Sequence, residues 1–144
     1  MSESKSLYCN CLYYSANAFA RAMTRLAEDA FSAVGLAPSH ALLLLAVNKE
    51  PGIQPGELAR IMQLQPSTVT RLVEKLESKK LVERRSDGRA SRVFPTEAAL
   101  ALDAPLREAW NALYVRYGDL LGQAPAAELA ARLTEATARV EDAT

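Results

Sequence analysis

One amphipathic stretch near the middle of the chain, Gln65 to Leu81, constrains the fold more than any other. Its apolar residues recur at the i, i+3, i+4, i+7 spacing that forms one face of an α-helix. A proline at the second position suits the first helical turn, where its missing N–H removes no internal hydrogen bond. An ordinary amphipathic surface helix has the same pattern, so the stretch alone leaves its role open. The apolar face carries Val69, Leu72, Val73 and Leu76.

The polar face of this predicted helix has the side chains that a helix needs in the major groove of DNA. Ser67, Thr68 and Thr70 are short enough to let the backbone approach, and their hydroxyls can bond bases or phosphates. Arg71 can form a paired hydrogen bond with a guanine edge or a phosphate. Lys75, one turn further on, offers a cation to a phosphate. The stretch therefore predicts a DNA-reading helix.

The neighbouring segments favour this interpretation. Residues 55–62 form a second helical pattern, joined to the first by three residues, which is the layout of a helix-turn-helix. Downstream, residues 81–85 and 91–95 are strand-like, and Asp87-Gly88 between them indicates a β-hairpin. The order helix, turn, helix and hairpin predicts a winged helix-turn-helix.

At this point the sequence resembles the multiple-antibiotic-resistance regulator (MarR) family. The resemblance implies a transcriptional regulator, most often a repressor, that binds double-stranded DNA as a homodimer. It also implies a near-palindromic operator and release by a small aromatic or phenolic effector. The residues that carry it are 66–72, Leu76, 80–84 (here without a glycine), the wing Asp87-Gly88-Arg89, and the closing segment 95–97.

The whole chain of 144 residues is predicted to be one mainly α domain. A winged helix-turn-helix with a small β-hairpin wing spans residues 36–96, and dimerisation helices span 7–34 and 97–142. The first helix is expected to run unbroken for about 40 Å, which exceeds what a small domain needs for its own core. Heptad-like spacing in the later helix also indicates a second chain: Leu106, Trp110, Leu113, Tyr117 and Leu120.

Single residues predict where several helices and strands begin or end. Ile53 is expected to add a short third strand to the wing, and Thr96 to cap the helix that follows it. Pro105 is expected to kink that helix, which should end at Gly118 and Gly122-Gln123-Ala124-Pro125. The last helix is expected over residues 125–140.

Charge is distributed unevenly along the chain. The formal net charge is zero, which at first argues against nucleic acid. Residues 60–92, however, contain nine basic and four acidic residues, so this segment carries +5 and the remainder −5. Such a protein would present one basic end to phosphate.

The family resemblance gives the wing a role. An Arg at the position of Arg89 enters the minor groove in the family, and a narrow minor groove favours Arg. Asp87 is expected to position it. Phe94-Pro95 and Ala99 depart from the family pattern, which weakens inferences about the hinge into the next helix. The full set of predicted DNA contacts is Ser67, Thr68, Thr70, Arg71, Lys75, Arg85, Asp87, Arg89 and Arg92.

The sequence also leaves two kinds of regulatory site as alternatives, a ligand crevice and a thiol switch. A ligand crevice between the dimerisation helices and the winged module could use side chains that otherwise belong to the core: Tyr13, Tyr14, Asn17, His40, Trp110 and Tyr114. Cys9 and Cys11 lie near tyrosines, as in peroxide-sensing members of the family, so a thiol switch is the alternative. Positions i and i+2 of a helix point apart, so the two cysteines are poor partners for one disulfide.

The sequence gives little support to other classes of protein, such as enzymes, metalloproteins and membrane proteins. It has no phosphate loop, nucleophile elbow or zinc pattern, so we expect no enzyme, cofactor or metal. We also expect a cytoplasmic protein, since neither a membrane span nor a secretion signal is present. A winged helix used only for protein association remains the alternative from another class, and it would not need Arg71, Lys75 and Arg89 on one face.

Overall fold

A computed structural model of the chain describes residues 8–144. It is mainly α-helical, with a two-stranded antiparallel sheet after the helix-turn-helix, which confirms the predicted fold class. The division into dimerisation helices and a DNA-binding module stays a prediction. In chain order the elements are α1 Leu12–Phe31, a 3-10 turn Ser32–Val34, α2 Pro38–Lys49, α3 Pro55–Met62, α4 Pro66–Ser78, β1 Val82–Asp87, β2 Ala90–Pro95, α5 Glu97–Ala101, α6 Asp103–Leu121 and α7 Gln123–Ala143.

The core is centred on α2. This helix is apolar on nearly every side, and α1, α3, α4, α5, α6 and β2 all pack against it. A helix that is hydrophobic all round is stable only when other elements cover it. Five of its side chains are buried: Ala41, Leu43, Leu44, Leu45 and Val47.

Both helices of the helix-turn-helix end in a left-handed residue that is not glycine. Gln63 ends α3 with φ 54°, and Lys80 follows α4 with φ 60°. At the end of α4, next to Lys80, the Leu81 N–H donates to the Leu76 carbonyl at 2.9 Å, and both of these leucines are buried. This bond and apolar contact are typical of a Schellman cap, in which the left-handed position usually holds glycine.

The wing is a hairpin closed by two residues. Asp87 pairs with Ala90, so Gly88 and Arg89 form the loop. Gly88 has φ 63°, whereas Arg89 does not have a positive φ. Glycine at the first loop position is typical of a type II′ turn. The Asp-Gly pair therefore predicted the hairpin correctly, but the aspartate lies on the strand and not in the loop.

A single bridge joins the wing to the turn before α3. Ile53 pairs with Val93 in an isolated bridge, so it joins the wing sheet as predicted but does not form the predicted third strand. Gly52, beside it, has φ 87°, and a Cβ at this position would lie 3.2 Å from the Phe94 ring. Both its backbone conformation and this close approach favour glycine.

The prediction of one unbroken helix over residues 7–34 was wrong. Cys11 adopts an extended conformation, with φ −90° and ψ 114°, and α1 begins after it. At the other end, the helix tightens into the 3-10 turn at Ser32 before Gly35, where φ is 77°. Leu7, the predicted first residue, lies outside the described residues.

The later helix also differs from the prediction. Thr96 caps α5 as expected, because its side chain accepts a hydrogen bond from the Ala99 N–H. The helix then breaks at Leu102, and Pro105 lies in the first turn of α6, where it costs no internal bond. Gly118 is buried inside α6, which ends only at Leu121. The last helix is longer than predicted, Gln123–Ala143.

Among the described residues, no single helix is both long enough and apolar enough to cross a membrane. The bent pair Leu12–Val34 and Pro38–Lys49, which meet at 61°, passes the same test of length and composition together.

We expect Lys80→Gly to raise the free energy of unfolding by about 0.5–1 kcal/mol, because glycine relieves a left-handed backbone that other residues adopt at a cost. The matched control is Lys79→Gly. Lys79 has φ −85°, so glycine gains nothing there and should lower stability by a similar amount. Urea unfolding at equal protein concentrations measures both. A loss of stability in Lys80→Gly would contradict the assignment of strain.

Candidate nucleic-acid interface

The orientation of α4 is set by its apolar side. Val69, Val73 and Leu76 are buried, and Leu72 is half-buried against the same core. Because these positions face inward, the opposite face of the helix points away from the core. Ser67, Thr70, Arg71 and Lys75 are accordingly exposed, and Thr68 is half-buried. The structure thus brings the five predicted helix residues to the surface.

The exposed cations of α4 are free to meet a ligand. Arg71 and Lys75 form no ion pair with any residue between 8 and 144. The Thr70 hydroxyl donates to the Pro66 carbonyl at 3.1 Å, a bond within the helix that leaves the oxygen as an acceptor. Two cations without acidic partners form a surface to which an anion can bind.

The wing contains both bound and free arginines. Arg84 pairs with Glu77 of α4 at 2.8 Å and so joins the base of the wing to that helix. Arg85 pairs with Glu83 at 3.1 Å, and its guanidinium carbon lies 4.4 Å from the centre of the Phe94 ring. Arg89, at the loop, is exposed and has no ion pair within the described chain.

Asp87 and Arg92 interact with each other. The Arg92 Nε lies 3.4 Å from an Asp87 carboxylate oxygen, and an Arg92 Nη donates to the Gly52 carbonyl at 3.0 Å. Among the described residues the ion-pair partner of Asp87 is thus Arg92 and not Arg89, and the expectation that Asp87 positions Arg89 stays a prediction. Arg92, which the sequence suggested as a DNA contact, already has two intramolecular partners.

His40 lies on the α4 side of α2. Burial lowers the pKa of His40 below its ordinary value, and the positive charges of Lys79 and Lys75 lower it further. The imidazole is therefore mainly neutral at neutral pH. His40, which the sequence predicts as a crevice residue, does not line the cavity between α2, α3 and α6.

An open cavity of about 680 Å³ lies between α2, α3 and α6. Its wall is largely apolar, with charged residues at the edge. One of these, Arg107, donates from Nε to Asp103 at 2.7 Å, which holds the pKa of Asp103 below its ordinary value. The lining residues are Leu42, Leu45, Ala46, Lys49, Glu50, Ile53, Glu57, Ile61, Met62, Arg107 and Trp110.

Of the six residues predicted for a ligand crevice, this cavity contains Trp110 alone. The others lie elsewhere on the helices. Tyr14 stacks on Tyr8, with ring centres 5.0 Å apart, and the Asn17 side chain donates to the Tyr13 carbonyl at 2.8 Å. Tyr114 meets Tyr117 edge to face at 5.5 Å.

Sequence reasoning missed the rest of the cavity wall, above all Lys49, Ile61 and Arg107. Arg107 precedes Trp110 by three positions on one helix, so a helical projection could have paired them. Lys49 and Ile61 come from other helices, and their meeting depends on tertiary packing that the sequence pattern does not contain.

The two cysteines are free and exposed at the start of the described chain. The Ser15 hydroxyl donates to the Cys9 carbonyl at 3.3 Å, and the Cys11 N–H donates to the Tyr8 carbonyl at 3.0 Å. These bonds fix the backbone around the thiols but do not bring a cation to them. Within residues 8–144, no group of three or more His, Cys, Asp or Glu side chains is placed to hold a metal ion.

The first helix and the last two leave large apolar side chains uncovered. Leu12 is 77% exposed, although it belongs to the apolar stripe of α1. Contiguous exposed apolar surface on a small protein marks an interaction site. The other exposed side chains on these helices are Tyr13, Tyr14, Trp110, Tyr114, Val115, Leu120, Leu121, Leu129, Leu133 and Val140.

Comparison with known proteins agrees with this geometry. The sequence model of the MarR family matches residues 34–92, which run from the end of the 3-10 turn to the middle of β2. No curated protein sequence matches the chain.

Solved structures are similar over nearly the full length. A MarR protein from Peptoclostridium difficile has a TM-score of 0.77 at 18% identity, with 93% of this chain and 90% of that chain covered. MepR from S. aureus, in complex with DNA, has a TM-score of 0.75 at 18% identity, covering 89% and 97%. CouR from Rhodococcus jostii, bound to p-coumaroyl-CoA, has a TM-score of 0.72 at 20% identity, covering 86% and 89%.

At these identities the structural likeness shows the fold, and the sequence match identifies the module within it. The MarR family model therefore matches the winged helix-turn-helix segment, residues 34–92, and the described chain as a whole has the fold of these solved structures, as the sequence resemblance predicted.

Proposed function

We propose that this protein is a transcriptional repressor that reads double-stranded DNA with α4 and the wing. The observation that carries the proposal is the outward face of α4, whose cations Arg71 and Lys75 have no acidic partner in the described chain. Arg89 at the wing loop is equally free. A protein-association module would gain nothing from leaving these three charges exposed, because it has no phosphate to neutralise.

The proposed roles of the α4 side chains differ. Ser67, Thr68 and Thr70 stand near the leading end of the helix, where base edges or phosphates are within reach of short hydroxyls. Arg71 reads a base, since its planar guanidinium matches a guanine edge. Lys75 neutralises a phosphate. Arg85 acts as a further cation on the wing.

The proposed assembly is a homodimer. α1, α6 and α7 expose apolar side chains that residues 8–144 of one chain do not cover, and a second copy would bury them on both partners at once. A two-fold dimer offers two α4 helices to successive major grooves. The operator should therefore be a near-palindrome with half-sites roughly 10 base pairs apart.

The proposed effector is a small aromatic molecule that binds in the α2–α3–α6 cavity. The cavity is apolar enough to take a ring, and Lys49 and Arg107, which line it together with Glu50 and Glu57, offer cations to an acidic group. CouR, which has the same fold, is known in complex with p-coumaroyl-CoA. Because α3 forms part of the wall, an occupied cavity would act on the helix-turn-helix directly.

The DNA proposal is tested by Arg71→Ala and Lys75→Ala. Arg71→Ala should relax selectivity at one position of each half-site, at a cost of about 1–3 kcal/mol in discrimination. Lys75→Ala should weaken binding nearly uniformly and reduce the salt slope by about one unit, because one phosphate contact is lost. Selection from random duplexes, followed by affinity measurements at several salt concentrations, gives both quantities.

The control is Arg132→Ala, which removes an equal charge from α7, where the side chain is exposed and paired with Glu128. Its affinity should match that of the wild type. If Arg71→Ala and Lys75→Ala also bind as tightly and as selectively as the wild type, then α4 does not read DNA, and protein association becomes the better account.

The dimer is tested by sedimentation equilibrium at micromolar concentration, where we expect about twice the 15.7 kDa chain mass. Leu133→Asp places a charge on the exposed apolar side of α7 and should lower the mass toward one chain. Ile61→Asp changes an equally apolar, exposed residue on α3 and should leave the dimer intact. A folded wild-type monomer would refute the assembly.

The effector is tested through Trp110, which is the single tryptophan in the chain and lines the cavity. An aromatic acid that binds there should change its fluorescence and release DNA at the same concentration. Ala46→Phe should abolish both effects by filling the cavity, with thermal unfolding as the check on its stability.

Two other outcomes would each contradict the cavity mechanism. Release that persists in Ala46→Phe would place the effector elsewhere. Release by organic peroxide that is lost in a variant with both Cys9→Ser and Cys11→Ser would favour the thiol switch instead.

A further inference from the structure

Arg92 joins two parts of the chain that are distant in sequence, the wing loop and the turn before α3. One end of its guanidinium donates to the Gly52 carbonyl at 3.0 Å, and its Nε lies 3.4 Å from the Asp87 carboxylate. The side chain is 38% exposed, against 76% for Asp87. A planar guanidinium can bind two acceptors in fixed directions at once, which a lysine cannot do.

The hairpin register explains why Arg92 reaches both partners. Val93 faces the core and is fully buried, so its neighbour Arg92 projects from the other face of the sheet, as Asp87 does. On the backbone, the Gly52 N–H donates to the Val93 carbonyl at 2.8 Å, and the Val93 N–H donates to the Ile53 carbonyl at 3.0 Å. The 52–53 segment thus lies alongside β2.

Asp87 stands at the point where the wing loop begins. It is the last residue of β1 and pairs with Ala90, which closes the two-residue loop Gly88-Arg89. A side chain bound to both Asp87 and Gly52 therefore ties the base of this loop to the turn before α3. The hairpin has only two strands and one further bridge, so little else restrains its outer end.

We propose that Arg92 is a positioning residue for Arg89: by joining Asp87 to the Gly52 carbonyl, it holds the wing loop in the orientation in which Arg89 meets DNA. The inference rests on the proposed DNA-binding function. It assigns Arg92 a different role from Arg71, Lys75 and Arg85, which act on DNA by direct contact.

Direct contact and positioning make opposite predictions for Asp87→Asn. If Arg92 binds a phosphate itself, removing the negative charge of Asp87 frees the arginine and makes the wing more positive, so affinity rises. If Arg92 positions the loop, the same change weakens the link and affinity falls, although the protein has become more basic. We expect a fall of about three- to tenfold, which lies in the lower part of the range for coupled residues in contact.

A double-mutant cycle then identifies the residue through which Arg92 acts. Arg92→Gln should weaken binding in the wild type but have little further effect in the Arg89→Ala background, because the residue being positioned is already absent. Arg92→Lys should recover only part of the loss. The matched control is Arg85→Gln: Arg85 lies directly across the sheet from Arg92, and its effect should add to that of Arg89→Ala.

A measurement without DNA separates this proposal from the proposed function. Amide hydrogen exchange of the free protein should speed up across residues 52–53 and 87–93 in Arg92→Gln and Asp87→Asn, but not in Arg85→Gln. If the wild type fails to bind duplex DNA, the function is refuted while the exchange result still tests the link.

Three results would overturn the proposal. These are tighter binding by Asp87→Asn, full additivity of Arg92→Gln with Arg89→Ala, and exchange rates in Arg92→Gln that equal those of the wild type. The first two would make Arg92 a direct phosphate contact, and the third would mean that the link does not restrain the wing.

Discussion

Burial of one side of α4 is the constraint on which the rest of the surface depends. Val69, Val73 and Leu76 lose nearly all their exposed area against the core that α2 provides. Each such side chain contributes about 1.5–3 kcal/mol when it leaves water, so rotating the helix would be costly. The polar face therefore has one orientation, and the Schellman cap at Lys80 carries the chain from α4 straight into the wing.

The sequence was sufficient for the parts of the fold that depend on local pattern. The helix-turn-helix, the hairpin and the Thr96 cap each rest on spacing or on one residue type, and all are present. It failed where a helix breaks without a glycine or an internal proline. Cys11 and Leu102 give no such signal, and a helical stripe that continues across each of them conceals the break.

In the candidate site, the sequence predicted which side chains are exposed but not which side chains interact with one another. The outward face of α4 follows from helical periodicity, but the Asp87–Arg92 pair depends on register across the hairpin and on a carbonyl 40 residues away in sequence. The residues that line the cavity were equally hard to predict, because Ile61 and Trp110 lie on α3 and α6 and come together only when both helices pack beside α2. The sequence pattern therefore predicts which face of a helix is exposed, whereas the residues that contact one another across elements are set by tertiary packing.

The division between paired and unpaired cations explains how a chain with zero net charge can present a basic surface. Four arginines of the winged module have acidic partners: Arg60, Arg84, Arg85 and Arg92. Arg71, Lys75 and Arg89 have none among residues 8–144. Exposed ion pairs contribute little to the free energy of folding. The main effect of the acidic residues of the module is therefore on charge: they neutralise the arginines that they pair with and leave Arg71, Lys75 and Arg89 unpaired. These three unpaired cations project outward from α4 and the wing loop, and their exposure without acidic partners favours phosphate as their partner.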